Sequence, residues 1–280
     1  MGLTGQSPSL GSASSPRPPV ALTIAGSDSG GGAGVVADLK TFEAHGVWGT
    51  CALVAVTAQN TLGVQGFDAL SPELVRRQID SVVTDIGVDA AKTGMLASAT
   101  LVSAVAAAVR DFGVPNLVVD PVFVSKHGDT LLADDAVGAL RAELLPLATV
   151  VTPNLPEAAA LVGFEIDGRP AMEEAARALS GHGAKVVLVK GGHLGGDESP
   201  DLLLAAGGDP VWLESRRIEG RHTHGTGCVL SAAIAAELAR GMEPADACVA
   251  AKRFIDHAIA AGVTLGGGIG PVNPGWERAV

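Results

Sequence analysis

Short apolar runs rich in β-branched residues alternate with longer helical stretches along most of this chain, and that alternation limits its fold more than any other feature. Residues 20–25, 51–57, 116–120, 149–152 and 185–189 read as strands. Helices are predicted over 34–45, 72–84, 99–112, 134–144, 156–162, 171–182, 226–240 and 244–261. Parallel strands need a crossover between them, so the pattern predicts an α/β fold: a central, mostly parallel sheet flanked by helices on both faces. Ligands of such sheets gather outside the carboxyl ends of the strands. The turns predicted there are GSDSGGGAG, AQN, KTGM, DPVFVSKHGD, TPNLPEA, KGGH and THGTGC, all polar or rich in glycine.

No internal repeat or interdomain linker interrupts the pattern, so residues 20–280 are expected to form one domain, preceded by a disordered tail over 1–19 that is rich in Ser, Gly and Pro. A net charge of -11 leaves no basic stripe for nucleic acid, and any phosphate site must be local. Three scattered cysteines make neither a disulfide framework nor a metal cluster, which points to a reducing, cytoplasmic setting. No window supplies the roughly 18 apolar residues of a membrane span.

Gly225, Thr226 and Gly227 let the backbone turn sharply in front of an alanine-rich helix, whose first N–H groups lack intrahelical partners and sit at the positive end of the macrodipole. That junction suits an anion. Cys228 falls in the first helical turn, where the macrodipole is expected to bring its thiol pKa toward neutrality and make it a base or nucleophile. The other reading, a small buried hydrophobe, is the one given to Cys51 and Cys248.

Residues 26–34, GSDSGGGAG, lack the GK[ST] of a Walker loop, and Val35 stands where a GxGxxG fingerprint needs glycine. Asp38, early in the following helix, either accepts a hydrogen bond from a substrate amine or hydroxyl or compensates the helix dipole. In TPNLPEA, Asn154 and Glu157 read either as a capping box or as oxygen ligands to a hydrated magnesium ion. Lys190, ahead of Gly191 and Gly192, is placed to meet a phosphate or to snorkel from a strand end. Lys92 and Lys126 are assigned to solvent, Met172 to packing, and Met95 to a pocket wall.

The ordered set TIAGSDSGGGAGVVADLKTF, AQNT, KTGML, DPV, TPNLPEA, KGGH, THGTGC and GIGPV, spread over about residues 20–273, closely resembles the hydroxymethylpyrimidine/phosphomethylpyrimidine kinases of thiamine biosynthesis, of the ribokinase-like superfamily. The resemblance implies a ribokinase-like homodimer using ATP and Mg2+ to phosphorylate a small-molecule pyrimidine and then its monophosphate. It implies that Gly225, Thr226 and Gly227 form the anion hole for the transferring phosphoryl group and that Cys228 accepts the substrate hydroxyl proton. Gln59 would pair with the pyrimidine edge, with Asp38 and Gly26 near it and Met95 against the ring. Asn154 and Glu157 would face Mg-ATP and hold the metal through water, beside Lys190 and Gly192. Where the family commonly reads DPSGGAG, this chain has 28–34 as DSGGGAG, which keeps Asp28 and loses the proline.

Two other functions compete: a pyridoxal kinase of the same superfamily, which Gln59 argues against, and a non-catalytic sensor of the same fold, which the intact residues 225–228 argue against. Residues 123–129 read as a lid hinged at Gly128, and His222 as a surface histidine without a role.

Overall fold

A computed structural model describes residues 17–123, 134–192 and 194–278. Its strands are β1 (Val20–Ala25), β2 (Trp48–Leu53), β3 (Ala55–Asn60), β4 (Gly63–Ala69), β5 (Ala90–Thr93), β6 (Leu117–Val119), β7 (Val150–Val151), β8 (Val186–Val189), β9 (Asp201–Ala205) and β10 (Val211–Leu213). Between them lie α1 (Gly34–Ala44), α2 (Pro72–Asp85), α3 (Ala99–Asp111), α4 (Asp134–Ala139), α5 (Leu155–Val162), α6 (Arg169–Gly181), α7 (Thr226–Ala239) and α8 (Pro244–Ala260). The main sheet runs β10-β9-β8-β7-β6-β5-β1-β2. From β2 to β8 each pair is parallel, and β9 and β10 add an antiparallel edge.

Successive strand residues point to opposite faces, and the two faces bury different helices. Leu22, Ile24, Ala91, Val119 and Val151 pack with α2, α3, α5 and α6, through residues such as Ile79, Val105, Leu161 and Met172. Ala21, Ala90, Val118 and Val150 pack with α1, α7 and α8, through Phe42, Ile234 and Ile255. Every residue of α7 from Val229 to Leu238 is buried. A helix apolar all round, as its sequence is, requires that enclosure, which the sheet, α1 and α8 provide.

The structure departs from the sequence reading at three places. The strand predicted at 51–57 is two strands: β2 leaves the main sheet at Leu53, and β3 pairs antiparallel with β4 as a separate hairpin, so AQN is strand rather than a turn. β3 alternates in burial and β4 is exposed along most of its length, which blurs their apolar signal. The antiparallel edge of β9 and β10 went unpredicted. Residues 17–19 do not belong with a free tail, since Arg17 forms a two-pronged ion pair with Asp89 and the Pro19 carbonyl accepts the Trp48 N–H at 2.8 Å. The rest of the expected tail, and all of the expected lid beyond Phe123, with Lys126, lie outside the described residues.

Candidate active site

A cavity of about 670 Å³ opens at the carboxyl ends of the parallel strands. Gly26, Gln59 and Met95 line it from the turn after β1, from β3 and from the turn after β5; Asn154 and Glu157 from the turn after β7 and the start of α5; Lys190 and Gly192 from the turn after β8; Gly225, Thr226, Gly227 and Cys228 from the start of α7. The structure therefore brings eleven of the twelve predicted site residues to one hollow. Asp38 is the twelfth.

Asp38 does not reach the cavity. It is fully buried on α1, accepts the Thr23 hydroxyl at 2.6 Å, and pairs with Lys92 Nζ at 3.2 Å to each oxygen. Lys92, assigned to solvent from sequence, is also fully buried. Burial opposes its charge, but the Asp38 carboxylate more than offsets this and raises the ammonium pKa above its ordinary value. A strand-end lysine looks exposed until a partner is found on a helix 54 residues away.

At the start of α7, Gly225 takes φ +81°, a left-handed conformation that favours glycine, and a methyl there would land on the Gly32 carbonyl. No side chain caps this helix, and residues 225–228 at its start line the cavity. The Cys228 thiol is not lowered as expected. Burial pushes it up to about 11, against the opposing pull of Lys92, with the carboxylates of Asp38 and Asp120 adding to the rise. Cys248 is buried as expected, whereas Cys51 is half-buried.

Beside this helix start lies a charge cluster that sequence reasoning only half saw. Asp120, after β6, accepts Lys190 Nζ at 3.1 Å, the Thr152 hydroxyl at 3.2 Å and the Ser231 hydroxyl at 3.2 Å. Burial alone would raise its pKa, but Lys190 and the other donors hold it below the ordinary carboxylate value. Glu157 lies 3.8 Å from the same ammonium, and burial, with Asp120 adding repulsion, pushes it up to about 7. The Asn154–Glu157 capping box is formed, with Glu157 N–H on Asn154 at 2.9 Å and Asn154 N–H on Glu157 at 2.8 Å. Two carboxylates lining one pocket, Asp120 and Glu157, are a donor set suited to a magnesium ion that keeps most of its waters. Among the described residues no cluster of three or more His, Cys, Asp or Glu forms a dedicated metal cage.

At the other end, Gln59 sits where β3 slips register: Ala58 pairs with Gly66 and Gln59 with Val64, leaving Gln65 as the extra residue. Such bulges re-aim side chains. Ser29 fixes the Gln59 backbone in both directions, donating to its carbonyl at 2.7 Å and accepting its N–H at 2.8 Å. His224 and Asp28 also line this end, and neither was singled out from sequence. Asp28 accepts the N–H groups of Gly30, Gly32 and Ala33 at 2.8–3.0 Å and meets His224 at 2.8 Å. His222 is half-buried and structural, accepting the Gly270 N–H at 3.2 Å.

Comparison with known proteins places the chain. The family model described as phosphomethylpyrimidine kinase matches residues 28–273. A hydroxymethylpyrimidine/phosphomethylpyrimidine kinase of Streptomyces coelicolor is 54% identical over 259 residues, covering 92% of this chain and 95% of that protein. One of Rhizobium meliloti is 52% identical over 257 residues, covering 91% and 96%. Among solved structures, an ADP complex of Bacillus subtilis pyridoxal kinase is 40% identical with TM-score 0.87, covering 93% of this chain and 99% of that one. A phosphomethylpyrimidine kinase of Clostridium difficile is 39% identical with TM-score 0.76, covering 86% and 99%. The fold is thus ribokinase-like, as the motifs implied. With a family model spanning most of its length and relatives more than half identical over 91% and 92% of it, the chain belongs to the phosphomethylpyrimidine kinase family.

Proposed function

We propose that this protein transfers the γ-phosphoryl group of ATP to the hydroxymethyl group of the thiamine pyrimidine, and then to the monophosphate so formed. The observation that carries the reading is the uncapped start of α7, lining a cavity with a hydrogen-bonding glutamine at one end and a lysine–carboxylate cluster at the other. Phosphoryl transfer asks mainly for positioning and for stabilisation of charge on the moving group. The N–H groups of residues 225–227 meet that charge with preorganised dipoles. Lys190 adds a fixed positive charge on the nucleotide side, where Asn154, Gly192 and Glu157 line the wall.

In the reaction the substrate hydroxyl oxygen bonds to the γ-phosphorus as the bond to the bridging oxygen of ADP breaks, and the hydroxyl proton passes to Cys228 Sγ. Only the thiolate form can take that proton; burial disfavours this form and the Lys92 ammonium favours it. Glu157 and Asp120 would hold hydrated magnesium, which supplies charge neutralisation for the phosphates. Gln59 offers an amide donor and acceptor to the edge of the heterocycle, and Met95 an apolar surface to its face.

Pyridoxal is the second substrate to test, because pyridoxal kinases of Bacillus subtilis and Staphylococcus aureus share the fold over 93% of this chain. A homodimer is the proposed assembly, favoured by exposed Val56, Leu62 and Phe67 on the β3–β4 hairpin. A cytoplasmic site of action follows from the need for ATP. The deciding experiment is incubation with Mg-ATP and hydroxymethylpyrimidine or pyridoxal, following products by mass spectrometry. Mono- and diphosphate of the pyrimidine are expected; phosphorylation of pyridoxal alone overturns the reading.

A further inference from the structure

Asp201 opens β9 as a buried carboxylate in a strand that otherwise reads Leu202, Leu203, Leu204 and Ala205, and the reaction does not use it. A carboxylate is poorly suited to a buried strand unless it is paired. Here each oxygen has a partner. Oδ1 accepts the Gly191 N–H at 2.9 Å, and Oδ2 meets Lys252 Nζ of α8 at 3.1 Å. Lys252 also reaches Asp256, one turn along its own helix, at 3.3 Å. A chain of contacts thus runs from α8 through the first residue of β9 to the turn after β8.

That turn builds the nucleotide wall of the cavity. Lys190 and Gly192 line it, whereas Gly191 between them does not, because its N–H is taken inward by Asp201. A side chain on Gly191 would collide with the Pro200 carbonyl oxygen, so the turn presses on the backbone that leads into Asp201. The flanks are tied separately: the Lys190 N–H donates to the Pro153 carbonyl at 2.8 Å, and the exposed Arg217 guanidinium donates to the Gly192 carbonyl at 3.0 Å. A buried ion pair adds little stability over a well-packed apolar pair, so its place behind this turn calls for another reason.

We infer that Asp201, anchored by Lys252, is a positioning residue that holds the 190–192 turn in the conformation presenting Lys190 and Gly192 to the phosphates of the nucleotide. The inference deepens the proposed function and rests on its assignment of this wall to the nucleotide.

The test is the binding of ADP and of hydroxymethylpyrimidine to the full chain, each measured by calorimetry. Asp201→Ala removes the partner of the Gly191 N–H, so the Kd for ADP should rise about tenfold or more while that for the pyrimidine stays within about twofold. Asp201→Asn combined with Lys252→Met keeps an oxygen for Gly191 and strands no ammonium, so the Kd for ADP should return to within about threefold of wild type. Hydrogen exchange read by mass spectrometry should speed up in the peptide containing residues 190–192 of Asp201→Ala and not in those of β5 and α3. Should Asp201→Ala not fold, Lys252→Met carries the same comparison, with the Kd for ADP alone rising about threefold or more. The inference is overturned by an ADP affinity within about twofold of wild type in the folded single variant, by both ligands weakening together, or by a double variant no tighter than Asp201→Ala. Lys190→Met separates this from the reading beneath it. ADP binding that ignores Lys190 removes the nucleotide from this wall, whereas binding that depends on Lys190 but not on Asp201 overturns the inference alone.

Discussion

His224 Nε2 lies 2.8 Å from Asp28 Oδ2 across 196 residues of sequence, tying the glycine-rich turn after β1 to the turn that starts α7. Because Asp28 also gathers three backbone N–H groups of its own turn, one carboxylate organises both loops of the candidate site. Burial works against its charge, yet His224 and those N–H groups hold its pKa below the ordinary 3.8. A lowered carboxylate contributes stability that is present above its unfolded pKa and is lost as pH falls through the folded value.

Asp28→Asn should therefore destabilise the protein near neutrality by about 1–3 kcal/mol, the cost of disrupting a buried, charge-assisted cluster. The difference from wild type should shrink as pH drops below 3.8. Denaturant melts at several pH values check this, and a gap that widens in acid contradicts the assignment.

Glu157 has the opposite sign. Burial raises its pKa from 4.5 to about 7, so the folded protein binds the proton more tightly than the unfolded chain does. That stability is full below pH 4.5 and lost as pH rises through about 7. Glu157→Gln, which keeps an oxygen for the Asn154 N–H, should flatten this decline in nucleotide-free protein. Thermal melts across the interval decide the point: parallel curves for variant and wild type rule it out.

Cys228→Ala should lower turnover by about a hundredfold or more with little change in substrate affinity, because proton acceptance acts in the transition state. Single-turnover kinetics with equilibrium binding tests it. Unaltered turnover removes Cys228 from the mechanism.

Gln59→Met preserves length while deleting the amide, so pyrimidine phosphorylation should lose about 1–3 kcal/mol in kcat/KM, with ATP affinity untouched. Comparing kcat/KM for pyrimidine and pyridoxal in both proteins reads the result. A pyrimidine value within about twofold of wild type shows that another group reads the ring.

The alternation of strand and helix determined the parallel sheet, and the position of the motifs other than AQN just after a strand determined which of their residues meet in the cavity. Both follow from local rules: backbone periodicity, crossover geometry and the chain's own order. The capping box of Asn154 and Glu157 was equally legible, since its partners stand three residues apart. What the sequence did not contain was the environment of each charge. Asp38 looked like a cleft residue and Lys92 a solvated one until the fold set them 3.2 Å apart beneath the sheet's edge. Cys228 looked like an activated thiol until burial beside Asp38 and Asp120 reversed the sign. The hairpin of β3 and β4, which carries Gln59, left the main sheet at a point no local signal marked. Secondary structure and motif order are properties of neighbours along the chain, whereas ionisation and long-range pairing depend on which distant groups share a low-dielectric interior, and only the tertiary structure decides that.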